Sequence, residues 1–112
     1  MKKENPAHKA LIHVLKCPIE DLKTLSVEGI AKAINSNRTY LSATFGSRMA
    51  YTLEEVIINE KISRAKDILK TNADIPIKDL ATMMGFSESN YFIKIFRKRV
   101  GIPPGEYRKL WR

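Results

Sequence analysis

The side chains with the most chemistry to offer lie between Ser89 and Arg99. Ser89, Asn90, Ile93, Lys94 and Arg97 fall on one face of a helix, and the run ends in Lys98 and Arg99. Residues three and four apart are neighbours on a helix surface, so these hydroxyl, amide and cationic groups act as one patch. Phe92, Ile95 and Phe96 recur at i, i+3, i+4 on the opposite face, the spacing of a buried stripe. A helix that hides aromatics and turns donors and cations outward suits a DNA groove, where base edges and phosphates need such partners.

Elements on both sides must hold that helix in place. Leu80, Met83 and Met84 give apolar positions at helical spacing, and Ala81 is small enough for another helix to cross closely. Gly85 stands where a tight turn needs positive φ at no steric cost. Ser87 is the expected N-cap of the following helix. Downstream, Val100-Gly101-Ile102-Pro103-Pro104 breaks the helix, and a short last helix near 105–111 is expected to pack Tyr107 and Leu110 beneath. Arg108, Lys109 and Arg112 read as solvated charge.

The pattern occurs twice. Ser26 is a candidate N-cap, and Val27, Ile30, Ala31 and Ile34 keep helical spacing; Asn35-Ser36-Asn37 is a turn in which Asn35 tolerates the left-handed conformation and Asn37 can cap. A helix from Arg38 to about Phe45 then buries Tyr40, Leu41 and Phe45 and leaves Arg38, Thr39, Ser42 and Ala43 outward. Ala31 and Asn35 are spaced like Ala81 and Gly85, and Leu41 and Phe45 like Phe92 and Phe96, an internal duplication about fifty residues apart.

Between the copies, Thr52-Leu53-Glu54-Glu55 is a capping box, and Ile58, Ile62, Ala65 and Leu69, widened by Ile57 and Ile68, form a stripe that ends near Thr71-Asn72-Ala73-Asp74. A helix of 19 residues makes a rod of roughly 28 Å. Before the first copy the start is polar, with a frayed stretch expected over residues 1–6. A short helix from about Ala7 to Lys16 then buries Ala7, Leu11, Val14 and Leu15. Pro18 opens a further turn in which Ile19 and Leu22 pack. The β-branched residues follow helical spacing, so the fold class is all-α. It divides into an N-terminal helix with the first unit over 1–51, a linker helix over 52–71 and the second unit over 72–112.

The chain of 112 residues carries a net charge of +8, which favours a polyanionic partner. The excess is uneven: 8 Lys/Arg against 4 acids over 1–51, 4 against 5 over 52–77, and 8 against 3 over 78–112. Cys17 is alone, so no internal disulfide and no four-cysteine zinc site is available. His8 and His13 lie on different helix faces without a third ligand. No apolar run reaches the ~18–20 residues of a membrane span, and the start lacks a signal-peptide core. The expectation is an intracellular protein with no metal, no cofactor and no membrane partner. No nucleophile–base pair points to an enzyme.

One string of residues narrows the reading further. Leu80-Ala81, Gly85-Phe86, Ser87, Tyr91-Phe92, Ile95-Phe96-Arg97-Lys98, Gly101, Pro104 and Tyr107-Arg108 resemble the second helix-turn-helix unit of the AraC/XylS family of bacterial transcription regulators. Lys61, Ala65, Ile68 and Leu69 resemble its linker segment, and the likeness covers roughly 25–108. The first unit departs from the family at Asn35, where Gly is usual, at Gly46 and Ser47, where two basic residues are common, and at Ala50, where Gly is frequent.

The resemblance implies two helix-turn-helix units joined by a long helix, a homeodomain-like arrangement. Their recognition helices would enter successive major grooves of double-stranded DNA roughly 34 Å apart. It also implies a bacterial cytoplasmic protein, on the nucleoid when bound, monomeric on DNA, with RNA polymerase as a second partner and activation as the outcome. Base-edge contacts fall to Arg38, Thr39, Ser42 and Ala43 in the first unit and to Ser89, Asn90, Ile93 and Lys94 in the second. Asn90 suits adenine and Arg38 or Lys94 guanine, while Thr39, Ala43 or Ile93 suits a thymine methyl. Phosphate contacts fall to Arg48, Arg97, Lys98 and Arg99, whereas Phe86, Tyr91, Phe92, Phe96 and Tyr107 read as core. The alternative is a protein-interaction module on the same fold with weakened DNA binding, suggested by the sparse basic content of the first unit. The chain reads either as a stand-alone regulator or as the C-terminal piece of a longer one.

Overall fold

The computed structural model describes residues 5–72 and 74–111. Ala73, Arg112 and residues 1–4 lie outside that set, and with them parts of the expected frayed start, helix end and solvated terminus. Among the described residues the regular structure is entirely helical: α1 (Pro6–Lys16), α2 (Ile19–Leu22), α3 (Val27–Ala33), α4 (Arg38–Arg48), α5 (Leu53–Thr71), α6 (Ile77–Met83), α7 (Ser89–Val100) and α8 (Pro104–Lys109). The chain forms two compact units, Met1–Glu60 and Lys61–Arg112, with the boundary inside α5. The pairs α3–α4 and α6–α7 are the two helix-turn-helix units.

Side-chain caps set four of the eight helix starts among the described residues. The Asn5 side chain accepts the Ala7 N–H at 2.9 Å, and Pro6 sits in the first turn, where its missing N–H costs nothing. Order therefore begins earlier than the polar start implied. The Gly29 N–H donates to Ser26 Oγ at 3.0 Å and the Tyr40 N–H to Asn37 Oδ1 at 2.8 Å. At α5 the capping box closes both ways, with Thr52 N–H to Glu55 Oε1 at 3.3 Å and Glu55 N–H to Thr52 Oγ1 at 3.2 Å.

Both helix-turn-helix corners use the same backbone device. Asn35 has φ +58° and Gly85 φ +85°. Ser36 N–H donates to Ala31 C=O at 2.7 Å and Phe86 N–H to Ala81 C=O at 2.9 Å, each the long bond of a Schellman turn. Beyond the turns the copies differ by one residue. The cap of α4 is Asn37 and that of α7 is Glu88, an offset of fifty-one where the turn residues give fifty. The extra residue displaces Ser87, which is not the N-cap; Glu88 takes that place with no side-chain cap bond.

In the first unit, Ala7, Ala10, Val14, Ile30, Ala31, Leu41, Phe45, Leu53, Val56 and Ile57 form the core. The buried stripe of α1 is i, i+3, i+7 from Ala7, which turns Leu15 away by about 100° from Val14 and leaves it 56% exposed, against expectation. Ile19 is also exposed, while Leu22 is buried. Tyr40 was expected in the core but is 55% exposed, because α4 has Leu41 and Phe45 facing inward one position later. Cys17 is buried, with Sγ 3.4 Å from the Pro18 carbonyl oxygen.

In the second unit, Ile62, Ala65 and Leu69 of α5 are buried, as are Leu80, Ala81, Met84, Phe92, Phe96 and Tyr107. Rings follow one another at 5.2 Å from Phe86 to Phe92, 5.9 Å from Phe92 to Phe96 and 5.6 Å from Phe96 to Tyr107. Lys61 Nζ stands 5.7 Å from the Phe86 ring centre. Met83 faces out, since Leu80 and Met84 share the inward stripe. Tyr91 is not core either; it is 49% exposed and leans on Phe86 at 5.9 Å. Leu110, expected to pack, is 68% exposed because α8 ends at Lys109. Arg108 is more than solvated charge: its Nη1 donates to the Ile75 carbonyl oxygen at 2.6 Å and ties α8 to the segment before α6.

Two stability measurements check this architecture. Gly85→Ala forces a left-handed L-residue and should cost about 1–2 kcal/mol in urea unfolding, whereas Asn35→Gly should be neutral or slightly stabilising. Arg108→Ala should cost about 1–3 kcal/mol by loss of a charge-assisted bond, while Lys109→Ala, on an exposed position, should stay within about 0.5 kcal/mol.

Candidate nucleic-acid interface

The outward face of α7 is a continuous stripe. Asn90, Ile93, Lys94, Arg97 and Lys98, with Gly101 just past the helix end, line one open cleft. Asn90, Lys94, Arg97 and Lys98 are exposed, and Ser89 and Ile93 are half-buried. The order along the helix separates two kinds of chemistry. Near its N-terminus stand an amide, a hydroxyl and an aliphatic group, able to match base edges. The last turn carries Arg97, Lys98 and Arg99, whose charge also complements the negative helix end. Gly101 closes α7 with φ +101° and donates its N–H to the Arg97 carbonyl at 2.8 Å, so the basic turn is held by a proper cap.

Rigidity comes from beneath. Phe92 and Phe96 are fully buried on the inner face, and the ring series from Phe86 to Tyr107 fixes the rotation of α7 about its axis. The patch is therefore presented by a packed element, which suits recognition that depends on geometry to within fractions of an ångström. A second cleft, lined by Lys78, Thr82, Ser87, Glu88, Ser89 and Asn90, adjoins the N-terminal end of α7 and brings Lys78 of α6 beside it.

The first unit has the same design with a poorer surface. Arg38, Thr39 and Ala43 are exposed on α4 and Ser42 is half-buried, so the four expected positions share one face. At an offset of fifty-one they match Ser89, Asn90, Ile93 and Lys94 in turn, and Arg48 matches Arg99. Where α7 ends in three cations, α4 has only Arg48 in its last turn. Arg38 lies 3.5 Å from Glu28 of α3 and 4.0 Å from Glu54 of α5. Nothing in the local sequence around Glu28 or Glu54 singles out these two glutamates as partners of Arg38. The available signal was Arg38 itself, a cation at a helix N-terminus that no acid in its own first turn offsets.

Among the described residues no group of three or more His, Cys, Asp or Glu is placed to hold a metal ion, and no helix is long and apolar enough to cross a membrane. Among the described residues no polar or charged side chain is buried.

Comparison with known proteins places this geometry. A family model described as a helix-turn-helix domain matches residues 30–110. The structure of an AraC-type transcriptional regulator from Chromobacterium violaceum superposes with a TM-score of 0.77 at 20% identity, over 95% of each chain. The chain belongs to the AraC/XylS family. The DNA-binding domain of AdpA, a global transcriptional factor solved with a target DNA, shares the fold of this AraC-type domain at a TM-score of 0.76 and 24% identity, over 93% of this chain and 94% of that one. An uncharacterised helix-turn-helix transcriptional regulator, YfiF of Bacillus subtilis, is 30% identical over 99% of the chain, which spans 36% of that relative's length.

The contrast between the buried and outward rings of α4 is directly measurable. Phe45→Ala should cost about 3–5 kcal/mol in chemical unfolding, and Tyr40→Ala less than about 1 kcal/mol. Equal costs would place Tyr40 in the core after all.

Proposed function

We propose that this AraC-type domain binds a specific double-stranded DNA sequence and regulates transcription there, as an activator, from the bacterial cytoplasm. The observation that carries the reading is the outward stripe of α7 on its aromatic bed. Base readout falls to Ser89, Asn90, Ile93 and Lys94, and to Arg38, Thr39, Ser42 and Ala43 of α4. Arg97, Lys98, Arg99 and Arg48 hold phosphates and set register. The units over 1–51 and 72–112 act as two reading heads joined by the helix over 52–71, each recognition helix in one of two successive major grooves. One chain then reads an asymmetric site as a monomer, leaving other surfaces for RNA polymerase. That AdpA is solved with a target DNA on the same fold supports duplex DNA as the ligand class.

A second reading, a protein-interaction module with weakened DNA contacts, is favoured by one observation: α4 offers only Arg38 and Arg48, and Arg38 is already faced by two carboxylates. Selection from random duplex DNA separates the two. A split site with half-sites about one turn apart fits use of both helices. A domain that binds no enriched duplex more tightly than roughly 10⁻⁵ M is the interaction module.

Substitutions assign the roles. Lys94→Ala should weaken binding to the selected duplex by about 1–3 kcal/mol and relax one position; an unchanged ratio of specific to nonspecific affinity removes it from the reading set. Arg97→Ala should weaken all duplexes alike and flatten the salt dependence by about one counterion. A salt slope that does not move rules out its phosphate role.

A further inference from the structure

The corner around Arg38 is built from three helix starts. Arg38 is the first residue of α4, Glu28 lies in the first turn of α3 and Glu54 in the first turn of α5. A carboxylate is favoured at a helix N-terminus and a cation is not, so the two glutamates sit well and Arg38 sits badly on its own helix. Its own first turn offers no acid to offset that. The compensation comes across space: Nη1 faces Glu28 Oε1 at 3.5 Å and Nη2 faces Glu54 Oε2 at 4.0 Å. All three side chains are more than half exposed, and ion pairs of that kind add little to stability. Stability therefore does not account for a three-residue arrangement around a badly placed cation.

Recognition does account for it. The N-terminal residues of a recognition helix are those that reach base edges. Separate carboxylates facing the two terminal nitrogens bias the guanidinium fork towards one orientation. Distances of 3.5 and 4.0 Å lie beyond good hydrogen-bond length, so the fork can give up its carboxylates for a closer base-edge acceptor. Two carboxylates around one guanidinium also leave the corner net negative, which repels phosphates and disfavours a backbone grip. The duplicate supports the pairing. The residue matching Arg38 in the second unit is the neutral Ser89, and the residue matching Glu28 at the second position of its helix is Lys78. At these two matching positions the cation and the acid are both absent, although α6 carries Asp79 elsewhere in its first turn.

We propose that Glu28 and Glu54 are positioning residues for Arg38. They aim its guanidinium at a base and withhold it from phosphates, so that the sequence preference of the first unit depends on all three side chains. This rests on the DNA-binding reading above.

The test uses the whole chain and the duplex that it enriches from a random library. Affinities are compared between that duplex and its single base-pair variants for the wild type, Arg38→Ala, Glu28→Gln/Glu54→Gln and the triple variant. Arg38→Ala should erase the preference at one base pair, worth about ten-fold. Glu28→Gln/Glu54→Gln should lower that same preference several-fold while tightening binding to mixed-sequence DNA. In the Arg38→Ala background the two glutamine substitutions should still tighten mixed-sequence binding but change no base preference. The proposal is overturned if the glutamine pair leaves the preference intact, or shifts it equally with and without Arg38. It also falls alone if Arg38→Ala changes no position on a duplex that the wild type binds specifically. A wild type that enriches no duplex removes both this inference and the function it rests on. The tether has a DNA-free readout as well: the Arg38 Nε–Hε resonance should move in Glu28→Gln, and an unmoved resonance counts against it.

Discussion

The structure turns on one backbone turn that is made twice. At Asn35 and again at Gly85 one residue enters the left-handed region, and the next residue's N–H reaches back to Ala31 or Ala81. That closure satisfies the last carbonyls of the first helix and fixes the direction in which the second leaves. Small residues at 31 and 81 let the second helix cross closely. Everything presented outward by α4 and α7 inherits its aim from these two turns. Glycine takes the conformation freely, and asparagine is among the few other residues that tolerate it, which is why the first copy keeps the geometry without glycine.

Given the same turn, the two units are loaded differently. Beneath α7 a series of rings from Phe86 through Phe92 and Phe96 to Tyr107 fills the space, and Arg108 binds the last helix back to Ile75. Beneath α4 the filling is mostly aliphatic around one ring, Phe45, with α1 and the start of α5 contributing. The outward faces diverge in parallel. The second unit has Asn90, Lys94 and a three-cation final turn; the first has Arg38 at one end and Arg48 at the other. On α4 the cations are therefore few, and Arg38 is faced by acids of neighbouring helices, while on α7 they are plentiful and gather in the helix's own last turn.

The duplication is also unequal in length. One residue inserted after Gly85 carries the start of α7 past Ser87 and leaves Glu88 as a cap without a side-chain bond. The copies thus match at an offset of fifty up to the turn and fifty-one after it, and only the second offset pairs the outward residues correctly. Tyr40 and Tyr91 share that register, and each stands half-exposed beside its recognition face.

Local physics was legible in the chain itself. The helical periods, the left-handed Asn35 and Gly85, and the caps at Ser26, Asn37 and Thr52 all follow from interactions within a few residues of sequence. The string from Leu80 to Arg108 carried the family as well, because its spacing repeats constraints of one turn and one core. What needed the tertiary structure were facts decided by neighbours distant in sequence. Tyr40, Leu15 and Leu110 are apolar at helical spacing, yet only the packed partner decides which of two adjacent stripes is covered. Arg108 found a carbonyl 33 residues away, and Arg38 found acids on two other helices. Periodicity specifies a face. Which charge meets which is settled only when the helices are in place.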